Sequence, residues 1–530
     1  MLESSLLFIL LAAVFGFALI AKRFELPYPI AFVIGGSLLA FFPNLPAFQL
    51  DPNWVFLIIL PPLLFAGGWF TDWVVFRQNL RPIALLSIGL VIATTGAVAI
   101  VAHSLAPVLG WAAAFTLGAI VSPPDAVAAG AVFERFSIPR RILAILDGEG
   151  LVNDATALVI YRFAIVATLT GTFSLGRASV AFVLVSVGGI ALGLAFGAAY
   201  IGLARLMQKT NLNDSLLDNV LSLLTPYAVY LLTDAIHVGA AGPSAVLATV
   251  TAGVFVSRQS AKIQDPQTRL VAYSVWSVLI FLLNGLAFLS IGLQLRTIVH
   301  DPQFVSRELW LGAIVSLLVI AVRIVWVFAA TYFPRFIWRS IHEREGTPGP
   351  NYVFVIAWSG MRGIVSLAAA LALPYDFPQR NLIVFITFCV IFTTLVLQGL
   401  SLIPLLKWLR ISSGEDLEKR EIEVRVEALR AGIAALRKLE AAFDSTEEWE
   451  VQGRIVGEYE YRIVHLSAHI ESGNEVARAN KEIAVDHRLE QAALDAERAA
   501  VIAMRSNGDI PDEIYRTIEY DLDLAQARLT

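Results

Sequence analysis

Two short stretches put carboxylates where an apolar helix should not hold them. Residues 147–163 read DGEGLVNDATALVIYRF: the right half is apolar, while the left half carries Asp147, Glu149, Asn153 and Asp154. On a helix, Glu149 and Asn153 share one face and Asp154 lies about 100° further round. Asp147 sits nearer the start and suits a helix-start acid, where a negative charge meets the positive end of the helix dipole. Residues 120–130 read IVSPPDAVAAG. Pro123 and Pro124 remove two backbone donors together, so a helix should break near Val121. Ser122 as N-cap, with Asp125 three residues on, can start a new half-helix in an arrangement like a capping box. Irregular backbone at membrane depth survives only where protein buries it or where it lines a cavity. Its freed carbonyls and dipole ends then suit ions. A loop at the membrane edge is the plainer reading, but Trp111–Val121 and Ala126–Phe133 are each too short to span alone.

Opposite charges occur in similar settings. Arg362 lies mid-run in WSGMRGIVSLAAALALP, residues 358–374, between Gly360 and Gly363. Arg323 is isolated in LLVIAVRIVWVF, and Arg162 in VIYRFAIV has two readings, snorkelling or facing the bundle. A buried guanidinium needs an acid. Pairing Glu149 with Arg362 would leave Asp154 and Asp125 to bind a hard monovalent cation, or protons, through oxygen. A carboxylate that holds one species or the other, combined with alternating access, exchanges them obligatorily. The identity of the cation does not follow from the residues.

The elements that must position these groups are membrane helices. The chain has 530 residues, 57% of them hydrophobic, above the roughly 45–50% of soluble domains. Apolar runs of membrane-spanning length recur through the first 410 residues, which makes an all-α polytopic membrane protein. Hydropathy gives about thirteen spans: 5–21, 28–42, 54–70, 82–103, 111–133, 142–170, 178–206, 218–236, 242–257, 271–295, 308–334, 351–373 and 381–407. The first lacks a basic n-region and precedes Lys22 and Arg23, as a retained signal-anchor does. With the N-terminus outside, the inner connections hold 15 Lys and Arg, Arg81, Arg141 and Arg335 among them; the outer ones hold 4. The positive-inside rule therefore favours that orientation, with a cytoplasmic C-terminal tail.

Two domains are expected: a transmembrane domain over 1–410 and an acidic helical tail over 411–530. The tail carries 15 Lys and Arg against 26 Asp and Glu. Ile422, Val426, Leu429, Ile433 and Leu436 form a helical stripe opposite a charged face, which suits a solvated bundle or a dimerisation arm. Asn507, Gly508, Asp509 and Pro511 mark a turn before a last helix. A single cysteine, Cys389, excludes an intrachain disulfide framework and multi-cysteine metal sites. Neither a nucleic-acid patch, nor a nucleotide fingerprint in the tail, nor a nucleophile triad at membrane depth is present, so enzyme chemistry is not expected.

Five ordered motifs resemble the monovalent cation:proton antiporter-1 family, the bacterial sodium/proton exchangers. GEGLVNDATALV is similar to the family's asparagine–aspartate signature, and SPPDAVAAGAVFE to its broken helix. LPPLLFAGG (60–68), WSGMRGIVSLAAALALP and TTLVLQGLSLIPLLKWL (393–409) follow in order. The resemblance covers about residues 5–410. It implies two inverted-topology repeats with two crossed broken helices, and a homodimer with an elevator-like step in a cell membrane. It assigns Asp154, Asn153 and Asp125 to ion and proton binding, with Ser122 and Pro124 beside them, and no cofactor beyond the transported Na+ and H+. It places Glu149 and Arg362 in a structural ion pair and Arg323 as a further charge-balancing arginine. Asparagine before Asp154 implies electroneutral exchange. Three places depart from the family: the neighbourhood of Ala66 and Gly67 where an acid is common, Pro124 where a polar side chain is common, and Gly150 where a serine is common. A potassium/proton antiporter of the same fold, or less directly a cation channel, are the alternatives.

Overall fold

The computed structural model describes residues 2–42, 51–133, 136, 138–172, 174–210, 212, 214–236, 242–299, 306–338, 343, 346–411, 416–439, 445–468, 474–507 and 511–529. Helix is the regular secondary structure throughout these residues. Two compact units form, Met1–Ser412 and Ser413–Thr530. In the first, α1 is Leu2–Arg23, α2 Tyr28–Ala40, α3 Pro52–Phe70 and α4 Leu80–Leu105. Next come α5 (Trp111–Val121), α6 (Ala126–Phe133), α7 (Arg140–Thr170), α8 (Leu175–Lys209) and α9 (Ser215–Asp234). The unit closes with α10 (Ala245–Ile263), α11 (Pro266–Val299), α12 (Ser306–Ile337), α13 (Pro350–Trp358), α14 (Ile364–Leu371) and α15 (Arg380–Leu409).

Each of the thirteen apolar stretches carries helix. Among the described residues, nine stretches are long and apolar enough to cross a bilayer, counting the interrupted α5–α6 stretch as one. The 13-residue α2 is shorter, and 350–373 divides into α13 and α14.

Four glycines show how the frame closes. Gly36 of α2 packs on the Leu289 carbonyl of α11, and Gly292 of α11 packs on the Val33 carbonyl of α2. Gly68 of α3 packs on the Val250 carbonyl of α10, and Gly253 of α10 on the Phe65 carbonyl of α3. In both pairs each glycine meets the carbonyl three residues before its partner glycine. A Cβ at any of the four would collide with backbone, so the helices approach as only small residues permit. The same contact made twice, by the second stretch with the tenth and the third with the ninth, is what an internal repeat related by a pseudo-two-fold axis produces.

Among the described residues the second unit has four helices: α16 (Asp416–Leu439), α17 (Thr446–Ala468), α18 (Asn474–Ser506) and α19 (Asp512–Leu529). The sequence stripe is the packed face of α16, with Val426 and Ile433 buried and Gly432 against the Tyr459 ring. Charged pairs such as Arg437–Glu460 and Arg498–Asp523 lie on its surface. Gly508 and Asp509 of the expected turn fall outside the described residues.

Candidate ion-binding site

The helix of the double proline breaks as the missing donors require: α5 ends at Val121 and α6 starts at Ala126. The cap differs from the expectation. Asp125, not Ser122, caps α6, its Oδ1 accepting from the Val127 amide at 2.9 Å. The Ser122 hydroxyl instead donates back to the Ala119 carbonyl at 3.0 Å, as an end group of α5. Pro124 disfavours helical backbone at Pro123, so no helix starts directly after Ser122 and the cap falls to Asp125, just before Ala126.

A second break crosses the first. Between α13 and α14 the chain unwinds over residues 359–363. The Asp125 amide donates to the Met361 carbonyl at 2.6 Å. Arg362 turns its guanidinium to the other side, toward the carbonyls of Val121 (3.1 Å), Gly360 and Ser122 (3.5 Å). The crossing thus sorts charge by dipole. Arg362 is fully buried against the carbonyl ends of α5 and α13. The Asp125 carboxylate caps α6 and touches Gly363, the N-cap of α14, where a Cβ would collide with it. Cations are favoured at helix C-termini and anions at N-termini.

The expected Glu149–Arg362 pair is corrected. Glu149 is held by Arg323, through Nη1–Oε1 at 2.6 Å and Nη2–Oε2 at 2.9 Å, with both side chains 1% exposed. Nη2 also donates to the Ile356 carbonyl. The reason lies in Gly360: a Cβ there would strike the Arg323 side chain, so the glycine opens the lane from α12 to Glu149. Arg362 instead donates its side-chain hydrogen bonds to backbone carbonyls. Arg162 stands outside this set, on an exposed pair with Asp234 at 3.4 Å.

Asn153, fully buried, donates through Nδ2 to the Pro124 carbonyl at 2.7 Å. Its Oδ1 is buried with no hydrogen-bond partner among the described residues. Asp154 makes no hydrogen bond or ion pair among them, and Asp125 is near enough for the two like charges to interact. Both carboxylates are partly exposed, unlike Glu149. The site therefore gathers two carboxylates, an unspent amide oxygen and the Pro124 carbonyl. It does not gather the Ser122 hydroxyl, and Asp147 lies exposed on the surface of α7.

The departures at 67 and 150 have packing reasons. A Cβ at Gly150 would lie 2.7 Å from the Ala126 Cβ, and one at Gly67 2.9 Å from Leu151 Cδ2. Small residues there let α7 close on the start of α6 and on α3.

Two groups escape a reading for charge. Thr394 Oγ1 accepts the Arg362 amide at 3.1 Å, and Gln398 Nε2 donates to the Trp358 carbonyl at 3.1 Å. Both serve backbone left over by the second break. Their signal is a polar i,i+4 pair in the apolar run TTLVLQGLS. Tyr161, two turns beyond Asp154, donates to the Ala369 carbonyl at 2.8 Å and ties α7 to α14.

Comparison with known proteins matches this arrangement. The model of the transmembrane sodium/hydrogen exchanger family covers residues 9–408. The uncharacterized Na(+)/H(+) exchanger YjcE of Escherichia coli is 30% identical over 96% of this chain and 94% of its own. The sodium, potassium, lithium and rubidium/H(+) antiporter of Bacillus subtilis is 30% identical over 97% of this chain and 76% of its own. The solved structure of the sodium proton antiporter MjNhaP1 from Methanocaldococcus jannaschii superposes with a TM-score of 0.58. It covers 77% of this chain and all of that one at 18% identity, a likeness of fold. The crossed broken helices and the family match together place this chain in the sodium/hydrogen exchanger family, of the monovalent cation:proton antiporter-1 class, which are transporters and not enzymes.

Proposed function

We propose that this protein is a secondary active antiporter that exchanges cytoplasmic Na+ or Li+ for external H+. Asp154 is the group that carries either the cation or the proton. One observation carries the reading: Asp154 is a carboxylate without a hydrogen bond or ion pair among the described residues, beside the unspent Oδ1 of Asn153 and near Asp125. The buried charges near the crossing, Glu149, Arg323 and Arg362, each have a protein partner. A hard monovalent cation would take oxygen from Asp154, Asp125 and Asn153, with the Pro124 carbonyl as a further ligand. Protonation of Asp154 removes the charge that holds the cation, so one occupant excludes the other. Because Asn153 is neutral, one proton replaces one cation and the exchange is electroneutral. Alternating access by a homodimer in the cell membrane, with the N-terminus outside and the tail cytoplasmic, completes the proposal.

Potassium/proton exchange on the same site is the second reading, favoured by the broad cation range in the name of the Bacillus subtilis relative. The test is proton flux in proteoliposomes under Na+, Li+ and K+ gradients, with and without a membrane potential. Na+- and Li+-driven flux that is insensitive to potential and absent in Asp154→Asn supports the proposal. A preference for K+ selects the second reading. A steady cation current without proton counter-movement would replace both with a channel.

A further inference from the structure

Away from the crossing, α9 carries its polar residues inward. Asp218, Asn219, Ser222 and Thr225 are buried, while Leu217, Val220 and Leu224 are exposed. Along most of that face the polar atoms are spent. Ser222 Oγ donates to the Asn219 carbonyl and accepts from Trp276 Nε1 of α11, and Thr225 Oγ1 donates to the Leu221 carbonyl. At the Ser215 end they are not. Asp218, 8% exposed, makes no hydrogen bond through its carboxylate and no ion pair among the described residues. Asn219, 6% exposed, spends its Nδ2 on the Ser215 carbonyl at 2.7 Å, and its Oδ1 is buried without a partner. The Ser215 hydroxyl is buried without a partner as well. Positions i, i+3 and i+4 of a helix are neighbours, so these three groups lie together.

Gln264, the C-cap of α10, adds a fourth oxygen. It is 7% exposed, its Nε2 donates to Tyr200 Oη of α8 at 3.4 Å, and its Oε1 is buried without a partner. Asp218 is near enough to act electrostatically on Tyr200, and to feel Asp265 beside Gln264. Asp265 and Asp214 add negative charge but spend their oxygens as caps, on Thr268 and on the Leu216 amide. The helix dipole accounts for an acid in the first turn of α9. It does not account for the unspent oxygens around that acid, since buried polar atoms take partners. One free carboxylate among neutral oxygens balances a single positive charge, and oxygen ligands suit a hard ion. We propose that Ser215, Asp218, Asn219 and Gln264 bind a monovalent cation at a second site, distinct from Asp154. The pairing repeats that of Asn153 and Asp154: a carboxylate without a protein partner beside an unspent amide oxygen. A cation held there joins the start of α9 to the end of α10.

The test uses the full chain carrying Asp154→Asn, so that its outcome is independent of transport at the crossing. Thermal unfolding in neutral detergent is followed by tryptophan fluorescence while Na+, Li+ or K+ replaces choline at constant ionic strength. Ca2+ forms a separate arm, and isothermal titration calorimetry counts the sites. A monovalent ion is expected to raise Tm saturably above the choline baseline. Adding Asp218→Asn should abolish that response. Adding Ser215→Ala, which deletes a hydroxyl without a partner among the described residues, should raise the half-saturating concentration about tenfold or more. It keeps the test decisive if the Asp218 variant does not fold. No response beyond choline, a response to Ca2+ in place of the monovalent ions, or a half-saturating concentration unchanged by Asp218→Asn or by Ser215→Ala would overturn the proposal.

Discussion

Glu149 and Asp154 stand five residues apart on α7, and the protein treats them in opposite ways. Glu149 is sealed, 1% exposed, and stapled at both oxygens by Arg323. Asp154 is partly exposed and makes no hydrogen bond or ion pair among the described residues. Both are acids in an apolar helix. One has a permanent protein counterion, and the other leaves its counterion to be supplied. A carboxylate in the first state is part of the architecture; only one in the second can take a mobile ion or proton. Where the partners are matters more than how deep the carboxylate lies.

The contrast can be broken most directly at its two poles. Asp154→Asn should bring Na+-driven proton flux in proteoliposomes to background while monodisperse yield and Tm stay those of the parent; retained flux would remove Asp154 from the transport site. Glu149→Ala should do the reverse and fail in folding, since removing one partner of a buried pair costs about 3–5 kcal/mol. Yield and Tm in detergent read this out. A double-mutant cycle sharpens the assignment. Glu149→Ala with Arg323→Ala should be strongly non-additive, whereas Glu149→Ala with Arg362→Ala should couple far less. A larger coupling to Arg362 would restore the pairing that the structure replaces.

Smaller changes probe the crossing. Gly363→Ala pushes a methyl into the Asp125 carboxylate and should cost about 1–3 kcal/mol, read as a lowered Tm together with slower exchange. Asn153→Ala removes one hydrogen bond to Pro124, worth about 1 kcal/mol. It should raise the Na+ concentration for half-maximal flux more than it lowers Tm. The smallest effect is expected from deleting residues 413–530. Met1–Ser412 is a compact unit by itself, so exchange should persist, and an altered pH profile would assign the tail a regulatory part.

Much of this was readable from residue types. Consecutive prolines lack two donors, and the break at Val121 follows from that alone. The tail stripe follows from period, and the packed positions of α16 are the ones the period marks. The candidate site residues Asp125, Asn153 and Asp154 stand out because polar groups in apolar runs are costly. The partner of Glu149 was not readable. Arg323 and Arg362 are alike as isolated arginines, and the choice turns on Gly360, whose missing side chain opens one lane. Nor was the true cap of α6 readable, since Ser122 and Asp125 are both good cap residues and only the position of the helix start decides. The role of Arg362 also depends on a crossing in three dimensions. Its partners are carbonyl groups, which every residue has and no sequence pattern marks.

The glycine contacts between α2 and α11, and between α3 and α10, carry a mechanical consequence. Where backbone rests on backbone there are no rotamers to yield, and sliding one helix past the other would drive an α-carbon into a carbonyl. Each pair is therefore a stiff strut. On the proposed function, a displacement that opens and closes a route to Asp154 would be taken up at joints elsewhere, with each strut carried whole.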